Sequence, residues 1–358
     1  MYKKLFIPGP THVRDKILQA QAAPMIGHRS KEYADLQAEV TPKLQQLLYT
    51  QQRVYLYASS STGVMEGSVR QASTKRILNT VCGAFSKRWH QITAANGVPC
   101  DKVEVPMGQA ITLELVDEAL SKGDYDAITI VMNETSTGLM NPVEDIAALV
   151  RDKYPDVLIL VDAVSCMAGA KIEFDAWGLD VCLAGVQKCF ALPAGLTVCA
   201  VSDRARERAQ HVTNPGYYFS YAQMDKKYEK HQTPATPAIS LIQALNVQMD
   251  DILDEGLDNR WRRHEEMATC VQDWARRYFA LYSDERYLSN TVTNIENTRG
   301  ISVAGLNEEL GKRGAMISNG YGDLKEKCFR IAHMGDLTLD DIVWLLGQIE
   351  DILELRDS

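Results

Sequence analysis

Short apolar runs, uninterrupted by polar residues, recur along the first part of this chain. VYLYA, RILNTVC, AITIVM, VLILV, DVCLAGV and LTVCAVS each have the length of a strand. A strand that is apolar throughout, without alternation, is buried on both faces, as in the parallel sheets of α/β proteins. Between these runs, apolar residues fall three or four apart and predict helices. One covers about 31–49, with Leu36, Leu44, Leu47 and Leu48 on its inner face. Others are VMEGSVRQAS, the segment after Phe85 that holds Arg88 and Trp89, TLELVDEALSKG ended by Gly123, and PVEDIAALVRDKY with Pro142 in its first turn. Val103 to Val105 reads as one more short strand. Residues 1–30, with PGPT and MIGHRS, predict an extended, turn-rich arm without a helix. The segment 211–237 holds Tyr217, Tyr218, Tyr221 and Tyr228, and its prolines predict no regular element.

From about Asp250 the pattern changes. A long charged helix, about Glu255 to Tyr282, precedes strand TVTNIE, helix AGLNEELGKRG, strands AMIS and CFRIAH, and a final helix from about Leu339 to Leu355. Alternating strands and helices predict an α/β unit around a mostly parallel central sheet, and the later mixture predicts a smaller α+β unit. A chain of 358 residues accommodates both. The expected division is an N-terminal arm at 1–14, a large domain at 15–250, and a small C-terminal domain at 251–358.

Composition narrows the function classes. A net charge of −9 repels phosphate backbones, so no nucleic-acid partner is expected. No long uncharged apolar stretch predicts a membrane span. The eight cysteines show no metal-ligand spacing, and several lie inside strand-like runs. They read as free thiols of a reducing compartment, which predicts a cytoplasmic protein with no metal site.

Two of the apolar runs carry the candidate chemistry. VLILVDAVSCM delivers Asp162 at the carboxyl end of a buried strand, and DVCLAGVQKCF places Gln187 and Lys188 just past another. In open α/β sheets ligands bind in the crevice outside the carboxyl ends of the strands, so this acid and this amine suggest one site. A lysine that joins pyridoxal phosphate through a Schiff base needs an acid that keeps the pyridine nitrogen protonated. Taken singly, the two residues read as a turn cap and a solvated surface charge. Ser59, Ser60, Ser61, Thr62 and Gly63 follow VYLYA and open a helix. Hydroxyls and open amides there suit a phosphate, and the same run also serves as an ordinary cap. Phe85 ends the RILNTVC strand, where an aromatic either stacks on a flat ligand or joins the core. NETSTG, Asn133 to Gly138, puts a dense polar set at a further strand end.

With PGPT, SSSTGVME, CGAFSKRW, NETSTG, VDAVS, VQK, TPATP and FRIAHMG laid out in this order, the chain resembles a known family over nearly its whole length. It is similar to the class V, fold type I, pyridoxal-phosphate aminotransferases of the alanine–glyoxylate and serine–glyoxylate group. The resemblance implies a large domain with a mostly parallel sheet, a small α+β domain, and a homodimer with shared active sites. It implies that Lys188 is the Schiff-base lysine and proton carrier, and that Asp162 pairs with the pyridinium nitrogen. Phe85 would stack on the ring, and Thr135 would contact the phenolic oxygen. Ser61, Thr62, Gly63 and Gln187 would hold the phosphate, with Tyr228 and Thr236 reaching in from a partner subunit. Arg330 would bind the substrate carboxylate, and Gly9 would lie against the bound substrate.

Some positions depart from the commoner family pattern. Val186 stands where relatives often carry Ser, Ser61 where many carry Gly, and Thr233 competes with Thr236 for the phosphate role. The implied activity moves an amino group from a small amino acid such as alanine or serine to a small 2-oxo acid, glyoxylate or pyruvate. Two other readings are a class V lyase or cysteine desulfurase, and a cofactor-binding accessory subunit. Desulfurases of the superfamily typically carry His before the lysine, where this chain has Gln187, and Cys328 sits inside a strand-like run. Arg14 and Arg29, in the arm, are open to meeting a second acidic group or to lying on the surface.

Overall fold

The computed structural model describes residues 3–355. The outermost residues, 1–2 and 356–358, which the expected arm and C-terminal domain included, lie outside the described residues. The chain opens with β1 (Lys4–Phe6), α1 (Asp15–Gln21), α2 (Lys31–Leu47), β2 (Arg53–Tyr57), α3 (Ser61–Ala72), β3 (Ile77–Val81) and α4 (Ala84–Ala95). Next come β4 (Cys100–Glu104), α5 (Leu113–Ser121), β5 (Ala127–Val131), the hairpin of β6 (Asn133–Glu134) and β7 (Leu139–Met140), α6 (Val143–Lys153) and β8 (Leu158–Asp162). Strands β9 (Val181–Gly185) and β10 (Thr197–Val201) lead to α7 (Asp203–Ala209), α8 (Tyr221–Tyr228), α9 (Ile239–Glu255) and α10 (Leu257–Tyr278). The chain continues through β11 (Ala280–Leu281), β12 (Val292–Glu296), α11 (Val303–Lys312), β13 (Ala315–Asn319), β14 (Cys328–Ala332) and α12 (Leu339–Leu353).

The larger sheet has seven strands in the order β2-β10-β9-β8-β5-β3-β4, all parallel except β10. Its central strands are buried on both faces because they separate two cores. In β8, Ile159 and Val161 enter one core while Leu158 and Leu160 enter the other. Cys182 and Ala184 of β9 and Val198 and Ala200 of β10 join the first; Val181, Leu183, Cys199 and Val201 join the second. Side chains alternate along a strand, so Asp162 continues the Leu158–Leu160 face. That face is covered by α3 through Val64, Met65 and Val69 and by α4 through Trp89. The acid and the starts of these two helices therefore share one side of the sheet.

The smaller sheet runs β1-β13-β14-β12-β11 and has its own core. Phe329 and Ile331 of β14 turn into it, against Val271 and Trp274 of α10 and Ile342 and Leu345 of α12. By alternation Arg330, between them, faces the opposite way. Strand β1, from the N-terminus, pairs parallel to β13 with Leu5 opposite Met316.

The structure corrects the expected elements in several places. The arm is not wholly extended: α1 forms within it and buries Ile17 against α9. A helix this short draws its stability from packing rather than from its own propensity. The segment 211–237 contains α8, capped by the Ser220 hydroxyl accepting from the Gln223 amide; its prolines flank the helix and none lies inside. The long charged helix is α10, which stops at Tyr278 before β11; ahead of it stands α9, a helix not expected from the sequence, which ends at Gly256 with a φ of +83°. Pro142 takes the cap position before α6 rather than its first turn.

Candidate active site

Lys188 follows β9 and turns back toward the N-terminal arm. Its Nζ donates to the Pro8 carbonyl. Gly9 has a φ of +102°, and a Cβ there would come within 2.3 Å of Lys188 Cδ, so only glycine lets the arm pass. The Thr11 amide donates to the Gln187 carbonyl at 3.0 Å, and the Thr11 hydroxyl donates to the Lys188 carbonyl at 3.0 Å. The next carbonyl, of Cys189, accepts from Nη2 of Arg260 at 2.8 Å. Three successive carbonyls of the lysine loop are thus fixed by elements distant in sequence. Burial, helped by the positive charge of Arg330, lowers the Lys188 amine to about 8.

Asp162 is buried and accepts the Val164 amide at 2.8 Å. Among the described residues it forms no ion pair. Burial pushes its carboxyl up to about 7, with Glu134 adding to the rise and Lys188 opposing it. A buried carboxylate without a counter-charge is costly, and a protonated ring nitrogen would supply one.

The Ser61 hydroxyl is buried and, among the described residues, has no hydrogen-bond partner. It converges with the Gln187 side chain: a Cβ on Gly185 would meet Gln187 Oε1 at 2.5 Å and Ser61 Oγ at 2.8 Å. Ser60, the cap residue of α3, makes no side-chain cap, and the first turn of α3 holds no acid. The Gly63 amide donates to the Ser60 carbonyl at 3.0 Å, and Phe219 packs where a Gly63 side chain would be. Among the described residues the open amides of that turn are those of Ser61 and Thr62, and a helix start with open amides and hydroxyls suits a phosphate.

Phe85 lies in the first turn of α4, its ring 5.2 Å from that of Tyr321 and 5.0 Å beneath the Arg88 guanidinium. Glu134, fully buried, caps this helix: it accepts the Phe85 amide at 3.2 Å and the Ser86 amide at 2.9 Å. A carboxylate at a helix N-terminus is favourably placed in the dipole. Thr135 is buried; its hydroxyl donates to Ser165 at 2.8 Å, and its carbonyl accepts from Arg330 Nη1 at 3.2 Å. Arg330 Nε and Nη2 both donate to the Asn319 carbonyl, at 3.2 and 3.1 Å. Each terminal nitrogen keeps one N–H, the pair that grips a carboxylate side by side. Among the described residues no carboxylate pairs with Arg330, and burial lowers it to about 10.

The structure therefore gathers Lys188, Asp162, Gln187, Ser61, Thr62, Phe85, Thr135, Arg330 and Gly9 around the carboxyl ends of the sheet. Tyr228 and Thr236 are not brought there by their own chain. Tyr228 lies under the Arg53 guanidinium at 4.7 Å and edge-on to Tyr55 at 5.8 Å, and Thr236 is exposed. Thr233 is buried with its hydroxyl on the Ala235 carbonyl, and Arg29 donates to the Thr233 and Pro234 carbonyls. Arg14 is spent on Asp336, Asp251 and Gln248. Sequence reasoning missed Tyr321, Glu134, Ser165 and Arg260. Glu134 and Ser165 lie inside NETSTG and VDAVS, so position beside a strand end was a usable signal for both.

Comparison with known proteins is consistent across the chain. Residues 17–332 match the profile of the family Aminotransferase class-V. An uncharacterized aminotransferase of Methanocaldococcus jannaschii is 36% identical over 355 residues, covering 97% of this chain and 92% of that one. The L-aspartate–glyoxylate aminotransferase of Paracoccus denitrificans is 30% identical, with 93% and 87% covered. The crystal structure of an alanine–glyoxylate aminotransferase from Nostoc sp. superposes with a TM-score of 0.92 at 25% identity, over 99% of this chain and 96% of that one.

Proposed function

Because the chain belongs to the class-V aminotransferases, with their fold type I architecture and pyridoxal phosphate as cofactor, we propose that it moves an amino group from a small amino acid to a small 2-oxo acid such as glyoxylate or pyruvate. The observation that carries this reading is the meeting of a lowered amine, a raised carboxyl and an unpaired carboxylate fork, at Lys188, Asp162 and Arg330, in one buried site.

Pyridoxal phosphate, when bound, supplies the carbonyl that takes up the amino group and the ring that accepts the electron pair released at the substrate α-carbon. Ser61, Thr62 and Gln187 would hold its phosphate. Asp162 would keep a proton on the ring nitrogen, and Phe85 and Thr135 would fix the ring's face and its phenolic oxygen. Arg330 holds the substrate carboxylate through its two open N–H groups and so aligns the α-carbon. The Lys188 amine, poised near 8, would take the proton from that carbon and return it on the cofactor side of the nitrogen. In the second half-reaction the same residues run the transfer backward onto the 2-oxo acid.

The assembly belongs to the same proposal: a cytoplasmic homodimer in which Tyr228 and Thr236 reach the partner's phosphate site. It is supported by the exposure of Thr236 and by the distance in topology between α8 and the lysine loop of its own chain. Among the described residues no helix is long and apolar enough to cross a membrane. The desulfurase reading is weakened by Cys328, buried in β14 with its thiol pushed up to about 11 by burial and by Glu296. A nucleophilic cysteine requires the opposite environment.

The test is a pair of half-reactions on the purified holoenzyme. Adding L-alanine, L-serine or L-aspartate should convert the bound cofactor to its amine form with release of the matching 2-oxo acid, and glyoxylate should reverse the change. A cofactor spectrum that no amino acid alters would leave only the accessory-subunit reading.

A further inference from the structure

Among the described residues, Arg330 is not the only guanidinium at this site without a carboxylate partner. Arg88 lies one turn into α4, half-buried, over the ring of Phe85 at 5.0 Å. Its Nη2 donates to the Tyr321 hydroxyl at 3.2 Å. Among the described residues it has no other hydrogen bond and no carboxylate partner, so most of its donors are open. Tyr321 stands between the two cations, its ring 5.6 Å from the Arg330 guanidinium and 5.2 Å from Phe85. Gly320, immediately before it, admits no side chain, since a Cβ would come within 1.9 Å of the Leu324 carbonyl oxygen. The loop that presents the tyrosine is therefore tightly seated.

The charges at the site do not balance. Lys188, Arg88 and Arg330 face Asp162 and Glu134, and Glu134 is already matched by the amides at the start of α4. Both arginines act on the Lys188 amine in the same direction, lowering it, so both lie within electrostatic reach of the reacting centre. A substrate with one carboxylate would satisfy Arg330 and leave the second cation without a partner.

We propose that Arg88, held by the Tyr321 hydroxyl, is a second anion subsite that reads the side-chain carboxylate of a dicarboxylic amino acid. This rests on the aminotransferase reading above and names its donor class. The α-carboxylate takes the Arg330 fork. The side chain runs past the Tyr321 ring, and its carboxylate reaches the open donors of Arg88. Arginine suits such a site because its donors are arranged to meet a carboxylate two at a time.

The experiment has a kinetic arm and a binding arm, both on the holoenzyme. With glyoxylate as acceptor, kcat/KM for L-aspartate or L-glutamate should exceed that for L-alanine by at least about tenfold. In Arg88→Met, which keeps the stem over Phe85 but removes the charge, the ratio of dicarboxylic to alanine kcat/KM should fall by about ten- to a hundredfold, the range for a lost bond to a charged group. Arg88→Lys should recover part of the ratio. Tyr321→Phe, which retains the ring and all apolar contacts, should lower the ratio as well and keeps the idea testable if the first variant fails to fold. For the binding arm, isothermal titration should show succinate binding more tightly than propionate, with the difference abolished in Arg88→Met. Equal kcat/KM for aspartate and alanine, or a ratio unmoved by both substitutions, overturns the proposal. A protein that transfers from no amino acid yet prefers succinate through Arg88 would keep the subsite and sink the aminotransferase reading.

Discussion

Nη2 of Arg260 donates to the carbonyl oxygen of Cys189 at 2.8 Å, one residue beyond Lys188. Arg260 is 2% exposed, spends Nε on the Ala168 carbonyl at 2.7 Å, and pairs with Glu255 at 2.9 Å. The first helix of the C-terminal segment thereby holds the backbone that carries the reactive amine.

Arg260→Met should accordingly leave two buried carbonyls unpaired and cost on the order of 2–6 kcal/mol, at about 1–3 kcal/mol for each unsatisfied group. Urea unfolding measures this. Because the lysine loop loses its tether, kcat should fall more than KM changes for every substrate. A variant with wild-type kcat and wild-type stability would show that the contact does nothing for Lys188.

Lys188→Ala and Asp162→Asn separate two roles. The first should still bind cofactor without a covalent link and lose turnover by at least about 10²-fold, the lower bound for general acid–base transfer. The second should fold and bind, yet turn over slowly even at saturating cofactor, because the ring nitrogen loses its acid. Retention of a tenth of wild-type turnover in the lysine variant would reassign the proton carrier. Unchanged turnover in the asparagine variant would reduce Asp162 to a cap for the Val164 amide.

For Arg330→Lys, KM should rise for every amino and 2-oxo acid alike, by roughly 1.5–3 kcal/mol in binding terms. A lysine cannot offer two parallel N–H groups while also holding the Asn319 and Thr135 carbonyls. An effect limited to one substrate would mean that this arginine reads a side chain.

The pH dependence follows from Lys188. Its folded value, about 8, lies below the ordinary 10.5. The neutral amine attacks the cofactor aldehyde, so the rate at which cofactor-free protein captures pyridoxal phosphate should climb with pH and level off above about 8. The same difference has a stability consequence. Between about 8 and 10.5 the unfolded chain holds the proton and the folded one does not, so this residue's contribution raises the stability of the cofactor-free protein as pH rises through that window. Stopped-flow absorbance measures the first effect, and a capture rate that does not rise as pH climbs toward about 8 would contradict it.

Mixed dimers test the shared site. One chain carries Lys188→Ala and the other Tyr228→Phe with Thr236→Val. If each arm serves the partner, co-expression at limiting cofactor should restore activity from one working site per mixed dimer. Mixed dimers that form but stay inactive would confine the arm to its own chain.

The large sheet and its strand-end chemistry were legible because parallel strands leave uninterrupted apolar runs, and Asp162 and Lys188 punctuate two of them. Arg330 was named only through the family resemblance; the structure adds that Phe329 and Ile331 on either side of it turn the other way. Arg260 was not: in RWRRHEE it is indistinguishable from the solvated charges beside it, and only the helix's docking buries that one. Tyr321 was hidden for a similar reason, since a tyrosine between two glycines carries no periodic signal. The helices α1 and α8 were unreadable because their stability comes from packing against distant elements, not from local pattern.

The pairing of β1 with β13 sets an order on synthesis. Leu5 leaves the ribosome early and has no partner until Met316 has followed. Closing so long a loop is slow compared with the local contacts of the helices. Until then the arm is held only through α1, by Ile17 on α9 and Arg14 on Asp251, and the residues ahead of Thr11 lack their place in the small sheet. The large sheet is able to form beforehand with its amine still unrestrained. Competence for chemistry is thus a late checkpoint, gated by the last strands made and not by the sheet that bears the lysine. Cofactor added during refolding should therefore be captured only after the small sheet has closed.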